Sequence, residues 1–181
     1  FSKRRIAALN EFKVMVPGAS ATDVAEITSP YDGAVVGSVE RIDGKGAECA
    51  LNNASKLFND RSRWLPVHKR VEVLEKTAEL MQAQFDELVN LALSEGGKPF
   101  TDSQVEVARA IDGMKNCIEC VRSEHGTEIP MGLNPASSNR LAMTSKEPIG
   151  PVMAVSAFNH PLNLIIHQVG PAVASGCPVI V

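Results

Sequence analysis

Apolar residues recur at helical spacing through most of the first 125 residues. Their recurrence every three or four positions predicts four amphipathic helices. The predicted starts are Asp43-Gly44 for the first helix, Pro66 for the second and either Thr101 or Asp102 for the fourth, and the third carries Phe85, Leu88, Leu91 and Ala92. Gly96-Gly97-Lys98-Pro99 is expected to end the third helix, and His125-Gly126 the fourth. The buried stripe of the fourth helix is predicted to contain Val105, Ala108, Ile111, Ile118 and Val121.

Two other regions have strand character. Ala25–Thr28 and Ala34–Val39 flank the turn sequence Ser29-Pro30-Tyr31-Asp32-Gly33, and together they predict a β-hairpin. The segment before Ala25 has no regular pattern. Residues 141–145 alternate with a period of two, which is typical of an antiparallel, half-exposed strand. Such a strand is a candidate for pairing outside the main core, including pairing with another subunit.

The C-terminal part of the chain predicts a strand–helix–strand unit. Val152–Ser156 is apolar on both faces, as a central parallel strand must be. Pro161 fits the first turn of a helix, and a second strand runs through Pro178–Val181. These patterns indicate an α/β fold, in which ligands bind where strands give way to helices. Because the last strand is still apolar at Val181, we expect the chain to be part of a longer enzyme.

The composition argues against several classes of protein. Of the 181 residues, 44% are hydrophobic and 22% are charged, as in ordinary globular proteins. A net charge of −3, with one short basic cluster at Lys3-Arg4-Arg5, argues against nucleic-acid binding. A membrane span through residues 162–181 would bury Asn163, Gln168 and two prolines in hydrocarbon, which is costly. No secretory signal is recognisable, so a cytoplasmic location is expected.

The four cysteines are expected to be reduced thiols. Cys117 and Cys120 form a C-x-x-C pattern, but the pattern falls inside a predicted helix and has no second pair of ligands nearby. Helix packing is therefore the favoured role, with a zinc or redox site as the alternative. No metal is expected.

Asn159 lies where the predicted strand gives way to the helix. One role for an Asn at this place is helix capping, which contributes about 1 kcal/mol. The other role is catalytic, because a side-chain amide beside free backbone N–H groups can stabilise a developing oxyanion. Spacing alone favours capping.

Several short motifs follow one another along the chain: Ser29–Gly33, Arg63-Trp64, Gly97-Lys98-Pro99, Glu106–Ala110, Glu147–Gly150, Phe158-Asn159-His160-Pro161-Leu162, Val169–Ala172 and Gly176–Val179. In this order they resemble the NAD(P)-dependent aldehyde dehydrogenase superfamily. Several ordered motifs are more specific than any one of them. The resemblance covers nearly the whole chain apart from about its first 25 residues.

The resemblance implies the N-terminal part of an aldehyde-dehydrogenase-type, Rossmann-like cofactor domain with an antiparallel oligomerisation arm. Residues 1–126 are then the N-terminal hairpin and helices of that domain. Residues 127–147 form the bridging and oligomerisation strand segment, and residues 148–181 form the first strand–helix–strand of the cofactor sheet. The expected partner is a second copy of the protein, in a homodimer or homotetramer.

Members of this superfamily oxidise aldehydes to acids or acyl-CoA esters with NAD or NADP. A cysteine thiolate attacks the carbonyl, and a glutamate activates water or the nucleophile. By resemblance, Asn159 donates to the oxyanion of the cysteine thiohemiacetal. Val155, Ser156, Ala157 and Phe158 would pass along the cofactor, mainly through backbone, with Ala157 standing where the family often has Pro. The nucleophile and the base are expected beyond Val181, so this chain alone is expected to be inactive.

Two basic residues suggest the class of substrate. His160 stands at a position that is commonly aromatic in the family, next to the proposed oxyanion donor, and the family fold brings the helix of Arg109 beside the substrate tunnel. An Arg and a His suit a small aldehyde that carries a phosphonate, phosphate, sulfonate or carboxylate. Asn-His-Pro-Leu-Asn-Leu most resembles phosphonoacetaldehyde dehydrogenases. In the alternative, Arg109 is a surface residue paired with Glu106 or Asp112, and His160 merely packs.

Two other functions remain open at this point. One is a non-catalytic module that binds nucleotide or drives oligomerisation. The other is an acyl-phosphate reductase of the same fold, which runs towards the aldehyde. The sequence leaves open the choice between NAD and NADP, and between hydrolytic and CoA-dependent release.

Overall fold

The computed structural model describes residues 10–181. The basic cluster Lys3-Arg4-Arg5 lies outside the described residues, so its predicted character stays a prediction.

A three-stranded sheet forms the N-terminal part of the described chain. Its strands are β1 (Asn10–Phe12), β2 (Asp23–Thr28) and β3 (Val35–Arg41), in the order β1-β3-β2. β2 and β3 are antiparallel, which confirms the predicted hairpin. β1 pairs in parallel with β3 and was not predicted, because three residues are too few to show an alternating pattern.

Four helices follow the sheet: α1 (Gly44–Asn59), α2 (Val67–Ala83), α3 (Phe85–Gly96) and α4 (Phe100–Ser123). Asp43 begins α1, because its side chain accepts a hydrogen bond from the Gly46 N–H at 2.9 Å. Gly97 ends α3 in the left-handed conformation, at φ 64°. The predicted cap of α4 at Thr101 or Asp102 is wrong, since Pro99 occupies the cap position and α4 begins at Phe100.

A small two-stranded ribbon follows α4. It consists of β4 (Glu128–Ile129) and β5 (Ala142–Met143), which are antiparallel. β5 lies within the strand predicted at residues 141–145, and its partner β4 belongs to the same chain. Gly126 permits the close approach of the two segments, because a Cβ at this position would lie 1.7 Å from the Thr144 carbonyl oxygen.

The C-terminal unit is strand, helix and strand, as predicted. β6 (Val152–Met153) and β7 (Val179–Ile180) are parallel, and α5 (Pro161–Ser175) connects them with Pro161 in its first turn. β6 is shorter than predicted, and the expectation that both faces are buried is wrong for this chain. Met153 and Val155 are largely exposed, while Ala154 is buried.

Helix α4 is the centre of the core, where it packs against α5, α2 and α3. Its buried face differs from the predicted stripe, because Val105 and Ala108 are exposed. The residues that are buried on this face are Ser103, Glu106, Val107, Ala110, Ile111, Met114 and Ile118. A charged residue therefore lies on the face of α4 that enters the core.

No helix within residues 10–181 is both long enough and apolar enough to cross a membrane.

A substitution in the core provides a reference for the free energy of unfolding of the chain. Leu74 of α2 is 2% exposed and belongs to the main apolar cluster. Leu74→Ala should lower the free energy of unfolding by about 2–5 kcal/mol, because it removes buried apolar contacts and leaves a cavity. Urea unfolding measures this loss. Leu80→Ala on the same helix, where the side chain is half exposed, should cost clearly less; an equal cost would contradict the described core.

Candidate functional site

The segment between β6 and α5 is held at both ends by side chains. The Gln168 amide accepts from the Val155 N–H and donates to the Val155 carbonyl, both at 2.8 Å. The Ser156 hydroxyl donates to the Pro161 carbonyl at 2.7 Å. These bonds fix the path of the intervening residues, whereas the side chains of Val155, Ala157 and Phe158 stay exposed to solvent. Phe158 is 93% exposed.

Asn159 lies one residue before the cap position of α5. The cap position itself is occupied by His160, whose side chain makes no capping hydrogen bond. Asn159 is exposed, and within the described part of the chain its amide has no protein partner. The side chain is therefore not engaged in capping, and its N–H groups are free to meet a ligand.

A carboxylate from another helix caps α5 instead. The Oε1 atom of Glu106, on α4, accepts from the backbone N–H of Leu162 at 2.9 Å and of Asn163 at 3.2 Å. The expectation that free backbone N–H groups lie beside Asn159 is therefore wrong. Pro161 has no N–H, and the next two N–H groups already have an acceptor.

Lys98 pairs with the carboxylate that caps α5. Its ammonium group donates to the Oε2 atom of Glu106, and the two side chains are 12% and 0% exposed. The carboxylate thus faces one cation and the positive end of a helix dipole, two interactions that offset its burial. Loss of one partner would leave an uncompensated buried charge, which costs about 3–5 kcal/mol.

His160 contacts the same pair of charges. Its Nδ1 atom lies 3.0 Å from the Lys98 ammonium nitrogen and 3.7 Å from the Oε2 atom of Glu106. The side chain is 43% exposed. His160 therefore has one ring nitrogen in the charged cluster and part of its ring in solvent.

Arg109 is exposed on α4, one turn after Glu106. The alternative in which Arg109 pairs with Glu106 is wrong, because Glu106 pairs with Lys98. Among the described residues Arg109 has no ion pair with Asp112 either. Arg109 thus shares α4 with Glu106, and its guanidinium group has no protein partner among the described residues.

Glu95 adds a further acidic group near this cluster. It lies near the end of α3 and is half-buried. Burial raises the pKa of the Glu95 carboxyl above its ordinary value, and the charge of Glu106 raises it further.

Cys117 and Cys120 lie on α4 and Cys177 lies just after α5, whereas Cys49 lies on α1. Cys117 is half-buried, and a Cβ on Gly170 of α5 would lie 3.0 Å from its sulfur. Burial raises the pKa of the Cys117 thiol, and Cys120 adds to the shift, which disfavours the thiolate. Within residues 10–181, no three His, Cys, Asp or Glu side chains are placed to hold a metal ion.

Sequence analysis missed the roles of Lys98, Glu106 and Gln168. Glu106 carried a usable signal, because it lies at helical spacing with Ser103, Val107 and Ala110 on a face that is otherwise uncharged. A charged residue on such a face needs a buried partner. Which partners it has could not be inferred from helical spacing, since Lys98 lies in the preceding loop, eight residues away, and Leu162 is 56 residues away.

The family of the chain follows from comparison with known proteins. The sequence profile of the aldehyde dehydrogenase family matches residues 16–181. The chain belongs to this family. It is 38% identical over 113 residues to a 3-sulfolactaldehyde dehydrogenase of Priestia aryabhattai, covering 62% of this chain and 24% of that protein. It is 31% identical over 151 residues to a lactaldehyde dehydrogenase of Methanocaldococcus jannaschii, covering 83% of this chain and 31% of that protein.

Solved structures of this family have the same fold. An NAD-dependent aldehyde dehydrogenase from Sinorhizobium meliloti matches with a TM-score of 0.84 and 26% identity, over 97% of this chain and 36% of that chain. A glyceraldehyde-3-phosphate dehydrogenase from Methanocaldococcus jannaschii, complexed with NADP, matches with a TM-score of 0.75 and 30% identity, over 85% of this chain and 32% of that chain. The fold is thus the N-terminal part of an aldehyde dehydrogenase cofactor domain. The chain spans about a third or less of the length of these relatives.

The raised pKa of Glu95 predicts a pH-dependent stability. A folded-state pKa above the unfolded value contributes stability below the unfolded pKa, and this stability is lost as the pH rises through the folded pKa. Glu95→Gln should therefore stabilise the protein, relative to the unsubstituted chain, more at about pH 7 than at about pH 4.5. Thermal unfolding at the two pH values measures this difference. Glu87→Gln, an exposed position on the same helix, controls for loss of a surface charge; a gain from Glu95→Gln that is the same at both pH values would refute the prediction.

Proposed function

We propose that the complete protein oxidises a small aldehyde with NAD or NADP, and that this chain supplies the oxyanion donor and part of the cofactor-binding edge. The observation that carries the proposal is the exposed amide of Asn159, which has no protein partner among residues 10–181 and lies between the carboxyl end of β6 and the start of α5. In parallel α/β folds this is the edge at which ligands bind. Membership of the aldehyde dehydrogenase family supports an oxidoreductase over a non-catalytic module.

The residues after β6 fit a nicotinamide cofactor. Val155, Ser156, Ala157 and Phe158 form an exposed path at the carboxyl end of a parallel strand, with two large apolar side chains towards solvent. Both main-chain groups of Val155 are bonded to Gln168, so Val155 would contact the cofactor through its side chain. When bound, the cofactor accepts a hydride from the substrate carbon.

Asn159 acts on the carbonyl oxygen of the substrate. When a thiolate adds to an aldehyde, the carbonyl oxygen becomes an oxyanion, and a fixed N–H donor stabilises this charge more than it stabilises the neutral carbonyl. Because Glu106 occupies the first N–H groups of α5, the side-chain amide is the donor on this side of the site. The thiolate and the base belong, in this proposal, to the rest of the protein.

Arg109 and His160 bind an anionic group of the substrate. The guanidinium group of Arg109 has no partner in the described part of the chain, and it suits a phosphonate, phosphate, sulfonate or carboxylate in a bidentate geometry. The names of two relatives specify anionic aldehydes, 3-sulfolactaldehyde and glyceraldehyde-3-phosphate, whereas lactaldehyde is neutral. Family membership is therefore compatible with either class, and the free positive charge of Arg109 favours the anionic one.

The β4–β5 ribbon provides a surface for oligomerisation. It is a short two-stranded ribbon that carries the exposed apolar side chains of Ile129, Leu141 and Met143. Exposed apolar strands of this kind favour pairing with another chain. A homodimer or homotetramer is the assembly proposed.

The first prediction of this proposal concerns Asn159. In the complete protein, Asn159→Ala should lower kcat by roughly 10²–10³, because an oxyanion donor acts mainly in the transition state. Asn159→Asp should lose at least as much, since it replaces the donor with a negative charge. Steady-state reduction of NAD or NADP measures both variants. Asn52→Ala, at an exposed position on α1, is the control, and an unchanged kcat in Asn159→Ala would remove the catalytic role.

The second prediction concerns Arg109. Arg109→Met should lower kcat/KM by about 10- to 100-fold for an aldehyde that carries a phosphonate or sulfonate, because a hydrogen bond to a charged group contributes about 1.5–3 kcal/mol. The value for a neutral aldehyde of similar size should change little. Arg122→Met is the matched control, because Arg122 lies on the same helix and pairs with Glu75. Equal losses on charged and neutral aldehydes would eliminate the anion-binding role.

A further inference from the structure

We propose that the buried Lys98–Glu106 pair is a positioning device for the Asn159–His160 segment, and that Lys98 holds the His160 ring with Nδ1 as an acceptor and Nε2 as the donor. The inference rests on the proposed function, in which this segment contains the catalytic amide of Asn159. Lys98 and Glu106 act through other residues, so they are positioning residues.

The first step of the argument is the clamp on α5. Glu106 is fully buried on the central helix, and its Oε1 atom accepts from two consecutive N–H groups at the start of α5. The start of α5 is therefore tied to α4. At the other end of the segment, Gln168 of α5 is bonded to both main-chain groups of Val155. Asn159 lies between these two clamps, so the place of its amide depends on the place of the Glu106 carboxylate.

The second step concerns which ring nitrogen of His160 carries the proton. A lysine ammonium group only donates hydrogen bonds, so the 3.0 Å contact with Lys98 requires Nδ1 of His160 to accept. The ring proton then lies on Nε2. A proton on Nδ1 would point at the ammonium group, and the charged groups that face this nitrogen are Lys98 and Glu106.

The third step is the consequence for substrate binding. Within the described residues Nε2 of His160 has no protein partner, and the ring is 43% exposed. His160 therefore offers one directed N–H to the substrate. The positive charge that attracts an anionic group then comes from Arg109, while His160 fixes the direction in which that group binds.

The tautomer is tested directly by NMR on the complete protein labelled with ¹⁵N in its histidines. His160→Phe assigns the signals of this ring. We expect an unprotonated Nδ1 and a protonated Nε2 at neutral pH, and we expect Lys98→Met to introduce the other tautomer. A proton on Nδ1 in the unsubstituted protein would overturn this part of the inference. The measurement is independent of activity.

The positioning role is tested by kinetics with a neutral aldehyde, which removes any direct effect of charge on substrate binding. Glu106→Gln keeps an oxygen for the helix N–H groups but loses the charge that faces Lys98, and Lys98→Met removes the cation. Each should lower kcat by about 10- to 100-fold, because a small displacement of a catalytic group has effects of this size. KM should change by less than about threefold, since Asn159 acts mainly in the transition state.

Leu74→Ala is the control for stability, because it weakens the same core without touching the cluster. It should keep its kcat at temperatures at which it is folded. If Glu106→Gln does not fold, Lys98→Met and the NMR of the unsubstituted protein still test the inference. A kcat in Lys98→Met within about threefold of the unsubstituted value, with a large loss in Asn159→Ala, would overturn the inference and leave the proposed function standing.

Failure of the proposed function gives a different result. If the complete protein oxidises no aldehyde, or if Asn159→Ala keeps its kcat, the catalytic role proposed for the Asn159 amide is wrong. The role of Glu106 in positioning this amide is then wrong as well. The NMR measurement then still decides whether Lys98 sets the tautomer of His160.

Discussion

The structure around the candidate site depends on one buried carboxylate. Glu106 joins three segments of the chain: the loop after α3 through Lys98, the central helix α4, and the start of α5 through two backbone N–H groups. A carboxylate in the core is stable only when its charge is matched and its lone pairs are used. Here Lys98 and the positive end of α5 meet both conditions. Burial of Glu106 therefore depends on the packing of α4 against α5, and this packing in turn depends on the charge of Glu106 being matched.

This arrangement also limits how the site can bind anions. The start of a helix is ordinarily a place where an anion binds to free N–H groups. In this chain an internal carboxylate already occupies that place, and a ligand oxyanion would have to compete with it. Binding of negative charge is therefore left to side chains, among which Asn159 and Arg109 are exposed and free of protein partners in the described part of the chain. The same carboxylate draws Lys98 inwards, so that its charge faces Glu106 and His160 and not solvent.

Membership of the aldehyde dehydrogenase family relates the segment around Asn159 to a cofactor domain. The strand–helix–strand unit that carries Asn159 belongs to the cofactor domain of that family, and its exposed edge is where the proposed cofactor lies. His160 gives the segment a polar group that is both tied to the buried pair and partly exposed. The His160 side chain thus connects the buried Lys98–Glu106 pair with the side on which the substrate is proposed to bind.

The sequence by itself determined the elements whose causes are local. The turn residues Ser29–Gly33 specify the hairpin, the Gly at the end of α3 specifies its termination, and Pro161 after an apolar strand specifies the start of α5 and so the place of Asn159. These features depend on neighbours within a few residues, and their signals are present in any short window of sequence.

Only the tertiary structure decided which face of α4 is buried, which groups cap α5 and how His160 is held. Val105 and Ala108 were misplaced on the buried face, while Ile111 and Ile118 were placed correctly, because adjacent apolar positions allowed more than one stripe and packing against α2, α3 and α5 selects one of them. The cap of α5 comes from another helix, and the partner of Glu106 comes from the preceding loop. These contacts leave no periodic trace in the sequence, because they are set by the packing of whole helices and not by local backbone preference.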